Sequence, residues 1–354
     1  MVTCKIISFS LFVFHANAWY RFNVGFPNQG QNMTPFSLNE TLRMVALYSE
    51  NFQIKPEYVG PHFTVVNNDL RFKCPNLMTE VIESDKRVKA PCVLTEELQR
   101  KFTMNGLMSG REGCAPQDMA KNPDMQNGVE KIKVWTFDMI NNYNKKGSYS
   151  MTRCGAYGNS VCEETCELYA NDYIKDKVGI VLGSQNPWAE EGLIHYGAKQ
   201  VITVEYMKII SQHPKLITLH PVDAAKKFLN KTLTPVDFIF TYSSLEHDGM
   251  GRYGDPINPY ADLESIARAY CMLKPNGILF LSVPVGPDQI AGYNHRIYGK
   301  YRLSLILPLW EPIDLIGSYF NISDTKTSAG NYFNQPIWVL KKKSKHHGKQ
   351  SLRK

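Results

Sequence analysis

The sequence predicts an α/β protein: a doubly wound, mostly parallel sheet that follows an irregular, partly helical N-terminal cap region stapled by disulfides. From residue 177 onward, short apolar runs alternate with helical segments, as they do in βαβ units. One whole unit can be read between residues 236 and 283, as strand, polar loop, helix, tight turn and strand. Six cysteines between residues 74 and 166 predict the stapled cap region.

The cap region, residues 19–176, is rich in Asn, Pro, Gly and Met, and few of its segments show the pattern of a helix or strand. Ser37 and Glu40 have the spacing of a capping box, which predicts a helix through about Asn51. The other predicted segments are a short helix 96–102 opened by Thr95, a helix or strand within 130–142, and a helix 161–174 capped by Asn159 or Ser160.

The α/β domain is predicted over residues 177–341. Pro187 suits the first position of a helix, and helices packed between parallel strands must lie on both faces of the sheet. The predicted strands are 178–183, 200–205, 216–219, 236–242 and 278–283, the helices are 187–196, 222–229 and about 298–307, and segments 313–322 and 336–341 form a closing antiparallel hairpin.

Residues 1–18 are predicted to be a signal peptide. Lys5 supplies a positive start, residues 6–14 an apolar run, and Ala16-Asn17-Ala18 a small-residue cleavage site. An uncleaved anchor is the alternative, although the run is far shorter than the roughly 20 residues of a membrane span. No other stretch is long and apolar enough to cross a bilayer. We therefore expect a protein of the secretory pathway, either secreted or held in the lumen of the Golgi or endoplasmic reticulum.

Four glycosylation sequons point to the same route, since such sites are used in secreted proteins; they begin at Asn32, Asn39, Asn230 and Asn321. The eight cysteines agree with an oxidising compartment. Cys4 leaves with the signal peptide, and Cys271, in an apolar helix, is expected to be a core residue. The remaining six are expected to form up to three disulfides among themselves: Cys74, Cys92, Cys114, Cys154, Cys162 and Cys166. A zinc site at the last three is the rival, which the lack of paired CxxC motifs disfavours.

The net charge of +7 is confined to one end of the chain. Residues 341–354 contain seven Lys and Arg and no acid, which leaves 33 residues of each sign elsewhere. A neutral body argues against a nucleic-acid-binding fold. Residues 342–354 are predicted to be a basic disordered tail, with a surface anchor to anionic glycans or lipids as the alternative.

Two stretches, VDFIFTYSSLEH at 236–247 and MLKPNGILFLSVP at 272–284, resemble the fourth and fifth strands of class I S-adenosylmethionine-dependent methyltransferases. Longer stretches resemble a family of unknown function that is expanded in nematodes and is similar to a divergent branch of that fold: GSQNPWAEEGLIHYGAKQVITVEY, YSSLEHDGMGRYGDP and NHRIYGKYRL. The resemblance implies a class I methyltransferase-like domain, with S-adenosylmethionine as its cofactor and a hairpin at the edge of its sheet.

The resemblance also implies a cofactor site at the carboxyl ends of the strands, where open α/β sheets bind ligands. Gly183 and Ser184 follow the first strand, although this loop has one glycine where methyltransferases usually have two or three. Trp188 also stands where a small residue is usual. Glu205 would accept hydrogen bonds from both ribose hydroxyls, or it is an exposed acid at a strand end. Asp223 would contact adenine, or it caps a helix.

The densest polar cluster follows the fourth strand. We predict Glu246, His247 and Asp248 as catalytic residues, because a hydroxyl acceptor must lose its proton to a base. Ser243 is expected at the methionine end of the cofactor, with Ser244 beside it. Asp255 and His295 are added as catalytic candidates that could close over the pocket together with Arg252 and Arg296. The alternative is a hydrogen-bonded structural loop. Asp, Glu and His can also bind a divalent ion, but no metal site is predicted.

Two functions follow from these observations. The first is a lumenal or secreted methyltransferase that transfers a methyl group to a hydroxyl of a glycan or other acceptor. The second is a catalytically inactive, secreted binding or structural protein that keeps the sheet, which Trp188 and the single glycine favour.

Overall fold

The computed structural model describes residues 37–49, 52–85, 94–110, 132–142, 149–251, 253, 255–291, 295–317 and 335–343. The predicted signal peptide, the sequons at Asn32 and Asn321, Cys92, Cys114, Arg252 and the tail beyond residue 343 lie outside these ranges. Within them, no helix is both long and apolar enough to cross a membrane.

Ten α-helices occur in the described residues, and two of them begin at the capping residues predicted from sequence, Ser37 and Thr95. Pro187, predicted at the first position of its helix, lies one residue before it. The helices are α1 Leu38–Ser49, α2 Pro56–Val59, α3 Cys74–Glu83, α4 Glu96–Phe102, α5 Phe137–Asn141, α6 Val161–Tyr169, α7 Trp188–His195, α8 Pro221–Leu229, α9 Ala261–Met272 and α10 Lys300–Ile306. A π-helical turn, Ala170–Ile174, extends α6, and 3₁₀ turns lie at Met151–Arg153, Leu245–His247 and Leu307–Leu309.

Fourteen strands occur in the same residues. They are β1 Phe63–Val66, β2 Asp69–Phe72, β3 Ser109–Gly110, β4 Lys133–Trp135, β5 Val178–Leu182, β6 Gln200–Val204, β7 Ile209–Ser211, β8 Leu216–Leu219, β9 Val236–Tyr242, β10 Leu273–Ser282, β11 Gln289–Ala291, β12 His295–Ile297, β13 Trp310–Ile316 and β14 Ile337–Lys342.

The main sheet has seven strands in the order β13-β14-β10-β9-β5-β6-β8. All neighbours among β10, β9, β5, β6 and β8 are parallel, whereas β14 runs antiparallel to both β10 and β13. The chain proceeds from β5 outward to β8 and returns to the other side of β5 at β9. This reversal makes the gap between β5 and β9 the switch point of a doubly wound sheet. The parallel sheet and the closing antiparallel pair are therefore confirmed.

Side chains of the central strands alternate between two apolar layers, as the period of a strand requires. Ile239 and Leu279 belong to the layer covered by α1, α3, α9 and α10, whereas Phe240 and Phe280 belong to the layer covered by α6 and α7. Both faces are buried, which explains why the strands read as continuous apolar runs. The Lys274–Gly277 turn predicted before the fifth strand is a register shift within β10, with Asn276 at φ 63°.

Two predicted caps are confirmed. Ser37 N donates to Glu40 Oε2 at 2.8 Å and Glu40 N donates to Ser37 Oγ at 3.2 Å, the two bonds of a capping box. Thr95 Oγ1 accepts from Leu98 N at 3.3 Å. Helix α8 is capped by His220 Nδ1, which accepts from Val222 N, and not by Asp223.

Cys271 is a core residue, as expected, but leaving it out of the predicted disulfides was wrong. Cys271 is buried, but it forms a disulfide with Cys74, 197 residues away. Cys154 pairs with Cys162, and Cys166 is a buried free thiol. The disulfides are therefore not confined to the cap region, because one joins α3 of that region to α9 of the α/β domain. Sequence spacing carries no information about such a pairing.

Candidate functional site

A cavity of about 320 Å³ opens where strands β5, β6 and β9 end. This is the switch point of the sheet, where doubly wound proteins bind their ligands. Its size falls in the range of small-molecule pockets, roughly 300–1,000 Å³. Of the residues predicted from sequence, Gly183, Ser184, Glu205, Ser243, Asp248 and Asp255 line it.

Gly183 ends β5 in a conformation that other residues rarely adopt. Its φ is 71°, and a Cβ at this position would lie 1.8 Å from Ser244 Oγ. The backbone after β5 therefore passes directly against the side chain of Ser244, the second residue after β9, and only glycine fits both conditions. The absence of a side chain at Gly183 thus allows the ends of β5 and β9 to lie close together beside the cavity.

Glu205, directly after β6, holds the loop that follows Gly183. Its Oε2 accepts from Ser184 N at 2.9 Å and its Oε1 accepts from Met207 N at 3.1 Å. Burial raises the pKa of this carboxyl, while the backbone hydrogen bonds act in the opposite direction. Each carboxylate oxygen has a further lone pair, so Glu205 can still accept hydrogen bonds from a ligand.

A second carboxyl, Glu190 on α7, supports the same loop from inside the protein. It is fully buried, and it accepts from Ser184 Oγ at 3.0 Å and from Thr203 Oγ1 at 2.6 Å. Burial raises its pKa to about 7. Glu190 was not predicted; its signal in the sequence is an acid at a helix position that faces the sheet.

Trp188 does not close the cavity. Its ring packs edge-on against Phe240 and Tyr242, with centroids 6.2 and 5.9 Å apart, and lines one side of the opening. A Cβ on Gly155 would lie 2.9 Å from the indole Nε1, so this glycine makes room for the ring. The departure from the usual small residue is thus accommodated by the cap region.

The Glu246–His247 pair lies behind the cavity wall. Both residues are buried in the 3₁₀ turn after β9, and the two side chains approach at 3.5 Å between His247 Nε2 and Glu246 Oε1. Ser243, which does line the cavity, donates to Glu246 Oε1 at 2.6 Å. His295 packs against His247, with ring centroids 5.9 Å apart, and is also absent from the cavity wall.

Asp248 reaches the cavity from the same turn. Its Oδ2 accepts a hydrogen bond from Ser265, whose Oγ in turn accepts from Arg268 Nη2 at 2.7 Å. Burial, and after it the nearby Asp255 charge, raise the pKa of Asp248 to about 8. A carboxyl with this pKa keeps its proton at neutral pH for most of the time.

Asp255 organises the loop between residues 248 and 255. Its Oδ2 accepts from Gly249 N at 2.7 Å and Gly251 N at 3.1 Å, and its Oδ1 accepts from Tyr253 N at 3.2 Å. Burial raises its pKa, against the effect of these backbone donors. These hydrogen bonds stabilise the loop, as expected if the polar cluster is a hydrogen-bonded structural loop.

Arg296 lies beneath this loop and does not close over the cavity. It is fully buried, and its Nη1 donates to the carbonyl oxygens of Asp248 at 2.6 Å and Glu246 at 3.3 Å. Asp262 balances its charge at 3.5 Å and also pairs with Arg302. A buried guanidinium thus fixes the backbone that carries the Glu246–Asp248 cluster.

Asp223 is exposed on α8 and does not line the cavity, although Pro221, Ala224 and Ala225 of the same helix do. The sequence placed the helix correctly but not its rotation. Among the described residues, no group of three His, Cys, Asp or Glu side chains is arranged to hold a metal ion.

The cap region supplies cavity residues that sequence reasoning missed. Met78 and Val81 of α3 form an apolar wall, and Tyr149 and Tyr157 stand at the opening, each about half exposed. Nothing in the local sequence marks these residues, because they reach the site only through the packing of the cap region.

Solved structures similar to this chain include several methyltransferases. The 1,6-didemethyltoxoflavin-N1-methyltransferase of Burkholderia thailandensis, with bound S-adenosylhomocysteine, is 14% identical with a TM-score of 0.36, over 51% of this chain and 77% of that chain. A putative RNA methyltransferase of Pyrococcus horikoshii is 15% identical with a TM-score of 0.32, over 52% and 84%. The [4+2]-cyclase SpnF is 15% identical with a TM-score of 0.32, over 51% and 80%.

No curated protein matches this sequence. A family model does match, over residues 176–336, and it is described as "Caenorhabditis protein of unknown function, DUF268". These residues hold the strands from β5 to β13 and most of the cavity. The match confirms the resemblance that the sequence motifs indicated. Residues 176–336 thus resemble the DUF268 family, and their strands belong to a mostly parallel sheet of the class I methyltransferase type.

Proposed function

We propose that this protein is an S-adenosylmethionine-dependent methyltransferase of the secretory pathway that acts on a hydroxyl group, with glycans as the acceptor class. The observation that carries the proposal is that Gly183 and Glu205, the residues after β5 and β6, meet at one cavity. Close backbone approach and a carboxylate at these two places are what a doubly wound sheet uses to hold a nucleoside cofactor.

The residues present fit this cofactor. The backbone of Gly183 lines the cavity without a side chain, and the Glu205 oxygens retain lone pairs for two vicinal hydroxyls. Met78, Val81 and Ala225 offer an apolar wall for a purine ring. When bound, the cofactor supplies a methyl group on a positively charged sulfur.

The chain's own residues would position the reactants and exclude water, since in-line displacement depends mainly on orientation. Asp248, with its pKa raised to about 8, suits donating a hydrogen bond into the cavity rather than removing a proton. The predicted base His247 contacts Glu246, which accepts from Ser243, so His247 would have to act through both residues.

The disulfides and the glycosylation sequons support the proposed compartment, and the compartment in turn suggests the acceptor class. Two disulfides favour an oxidising compartment, and the sequon residues Asn39 and Asn230 are both exposed. Together with the expected signal peptide, they support a lumenal or secreted protein. Glycans are hydroxyl-bearing acceptors found along that route, which is why we propose them.

The second function is a secreted binding protein without catalytic activity. The burial of Glu246 and His247 behind the cavity wall favours it, because neither side chain touches the space where a substrate would lie. Calorimetry with S-adenosylhomocysteine, followed by transfer of label from S-adenosylmethionine to secretory glycans, separates the two. Binding without transfer supports the second function, and no binding at millimolar ligand contradicts the first.

A further inference from the structure

A chain of hydrogen bonds leads from the cavity into the protein. The Tyr157 phenol donates to Ser243 Oγ at 2.6 Å, and Ser243 Oγ donates to Glu246 Oε1 at 2.6 Å. The same carboxylate oxygen lies 3.5 Å from His247 Nε2. Tyr157 and Ser243 line the cavity, whereas the Glu246 side chain is 1% exposed.

The direction of these bonds follows from the proton count. A serine hydroxyl has one proton, and a carboxylate can only accept, so Ser243 gives its proton to Glu246 and accepts the proton of Tyr157. A phenol oxygen can accept as well as donate, and Tyr157 lines the cavity. A hydroxyl group bound there would therefore donate to Tyr157.

Unusual backbone conformations hold the first two members of this hydrogen-bond chain, Tyr157 and Ser243. Ser243 has φ 50°, a left-handed conformation that is rare for non-glycine residues and concentrates at functional sites. Tyr157 lies between Gly155 and Gly158, which also have positive φ, in the segment closed by the Cys154–Cys162 disulfide. Its ring packs against Tyr242 at 5.3 Å.

We propose that Tyr157, Ser243 and Glu246 form a proton relay that deprotonates the hydroxyl acceptor, with Tyr157 as the group that touches it. This inference rests on the proposed methyltransferase function. The acceptor proton moves to Tyr157, the Tyr157 proton to Ser243, and the Ser243 proton to Glu246. The acceptor oxygen gains the methyl group while the electron pair of the broken carbon–sulfur bond stays on sulfur. The positive charge lost there is balanced by neutralisation of the Glu246 carboxylate.

The relay accounts for the position of the Glu246–His247 pair. A base behind the wall can act on an acceptor only through groups that reach the cavity, and Ser243 and Tyr157 are such groups. Among the described residues, titratable and charged groups beside these three include Tyr242, His247, Arg296 and Tyr298 and, beyond His247, Tyr253 and His295. Burial raises the pKa of Tyr242, so this phenol stays protonated at neutral pH.

The relay can be tested without a known acceptor by following the ionisation of Tyr157. Protein labelled with ¹³C at tyrosine Cζ is titrated by NMR, and Tyr157→Phe assigns the signal. The phenol of Tyr157 donates to Ser243, which donates to the Glu246 carboxylate, and this arrangement favours the neutral phenol. Ser243→Ala and Glu246→Gln should therefore each lower the Tyr157 midpoint by about half a pH unit or more. Tyr149 also lines the cavity but is not one of the three relay residues, so the midpoint of its signal should not change.

Unchanged Tyr157 midpoints in a folded Ser243→Ala variant would overturn the relay, whether or not Glu246→Gln folds. Calorimetry of the wild-type chain with S-adenosylhomocysteine reports on the proposed function separately. Shifted midpoints with cofactor binding support the inference. Shifted midpoints without binding at millimolar ligand leave the proton coupling established but overturn its use in methyl transfer.

Discussion

Cys74, at the start of α3, is bonded to Cys271, near the end of α9, and the two helices form adjoining walls of the cavity. Helix α3 contributes Met78 and Val81, and α9 contributes Ser265, Arg268 and Met272. The disulfide therefore fastens the cap region to the α/β domain at the site itself. The cap region is part of the site and not an appendage to it.

Removing this disulfide should cost more stability than removing the other. Cross-links that close long loops restrict the unfolded chain most, and for 197 residues the chain-entropy model gives about 5 kcal/mol, against about 2–3 kcal/mol for 8. We expect the double variant Cys74→Ser/Cys271→Ser to unfold at lower denaturant than Cys154→Ser/Cys162→Ser. Equal midpoints, or the reverse order, would show that native contacts and not loop length decide the difference.

Gly183→Ala should be much more harmful than Gly106→Ala. Both glycines have positive φ, but a Cβ at Gly106 meets nothing within 4 Å, whereas one at Gly183 lies 1.8 Å from Ser244 Oγ. The control variant should lose about 1–2 kcal/mol of stability from backbone conformation alone.

The Gly183 variant should lose clearly more, and it should also lose affinity for S-adenosylhomocysteine. Adding Ser244→Gly should restore part of the stability, because it removes the clashing side chain but not the backbone strain. Thermal unfolding of the three variants checks this order. If Gly183→Ala is no worse than Gly106→Ala, the close approach of the two strand ends is not rigid.

Glu190 makes stability depend on pH. Its pKa is raised to about 7 in the folded protein, above the value of about 4.3 for an unfolded chain, so the folded state binds the proton more tightly. Between about pH 4 and pH 7 the unfolding free energy therefore falls as pH rises. Glu190→Gln removes this ionisation and should gain of the order of 2 kcal/mol over wild type between pH 5 and pH 8.

Denaturant unfolding of both proteins at the two pH values measures the effect. The amide introduced by Glu190→Gln can still pair with Ser184 and Thr203, whose hydroxyls also accept hydrogen bonds. A stability difference between variant and wild type that is the same at pH 5 and pH 8 would show that Glu190 does not carry the pH dependence.

The sheet could be predicted because its signals are local. Strands buried on both faces read as apolar runs such as Phe238–Phe240, and capping residues such as Ser37 and Thr95 act on the next turn of chain. The residues that end β5, β6 and β9 were placed at the site for the same reason, since parallel strands end at one edge.

What could not be predicted depends on contacts between distant segments. Tyr157 reaches the cavity through the fold of the cap region, and Cys271 meets Cys74 only after α3 packs on α9. The direction in which a side chain faces from its helix or turn could not be predicted from sequence either. Asp223 faces solvent, and Glu246 turns inward, because tertiary packing sets the phase of a helix or turn.

The central claim is that the cavity holds an adenosine cofactor through Glu205, and calorimetry with S-adenosylhomocysteine tests it most directly. Wild type should bind, and Glu205→Gln should bind at least tenfold more weakly, because hydrogen bonds to a charged group contribute about 1.5–3 kcal/mol and about 1.4 kcal/mol is one decade. Asp223→Asn, changed at an exposed acid off the cavity wall, should bind like wild type. No binding by wild type at millimolar ligand, or equal affinity in all three proteins, would contradict the account.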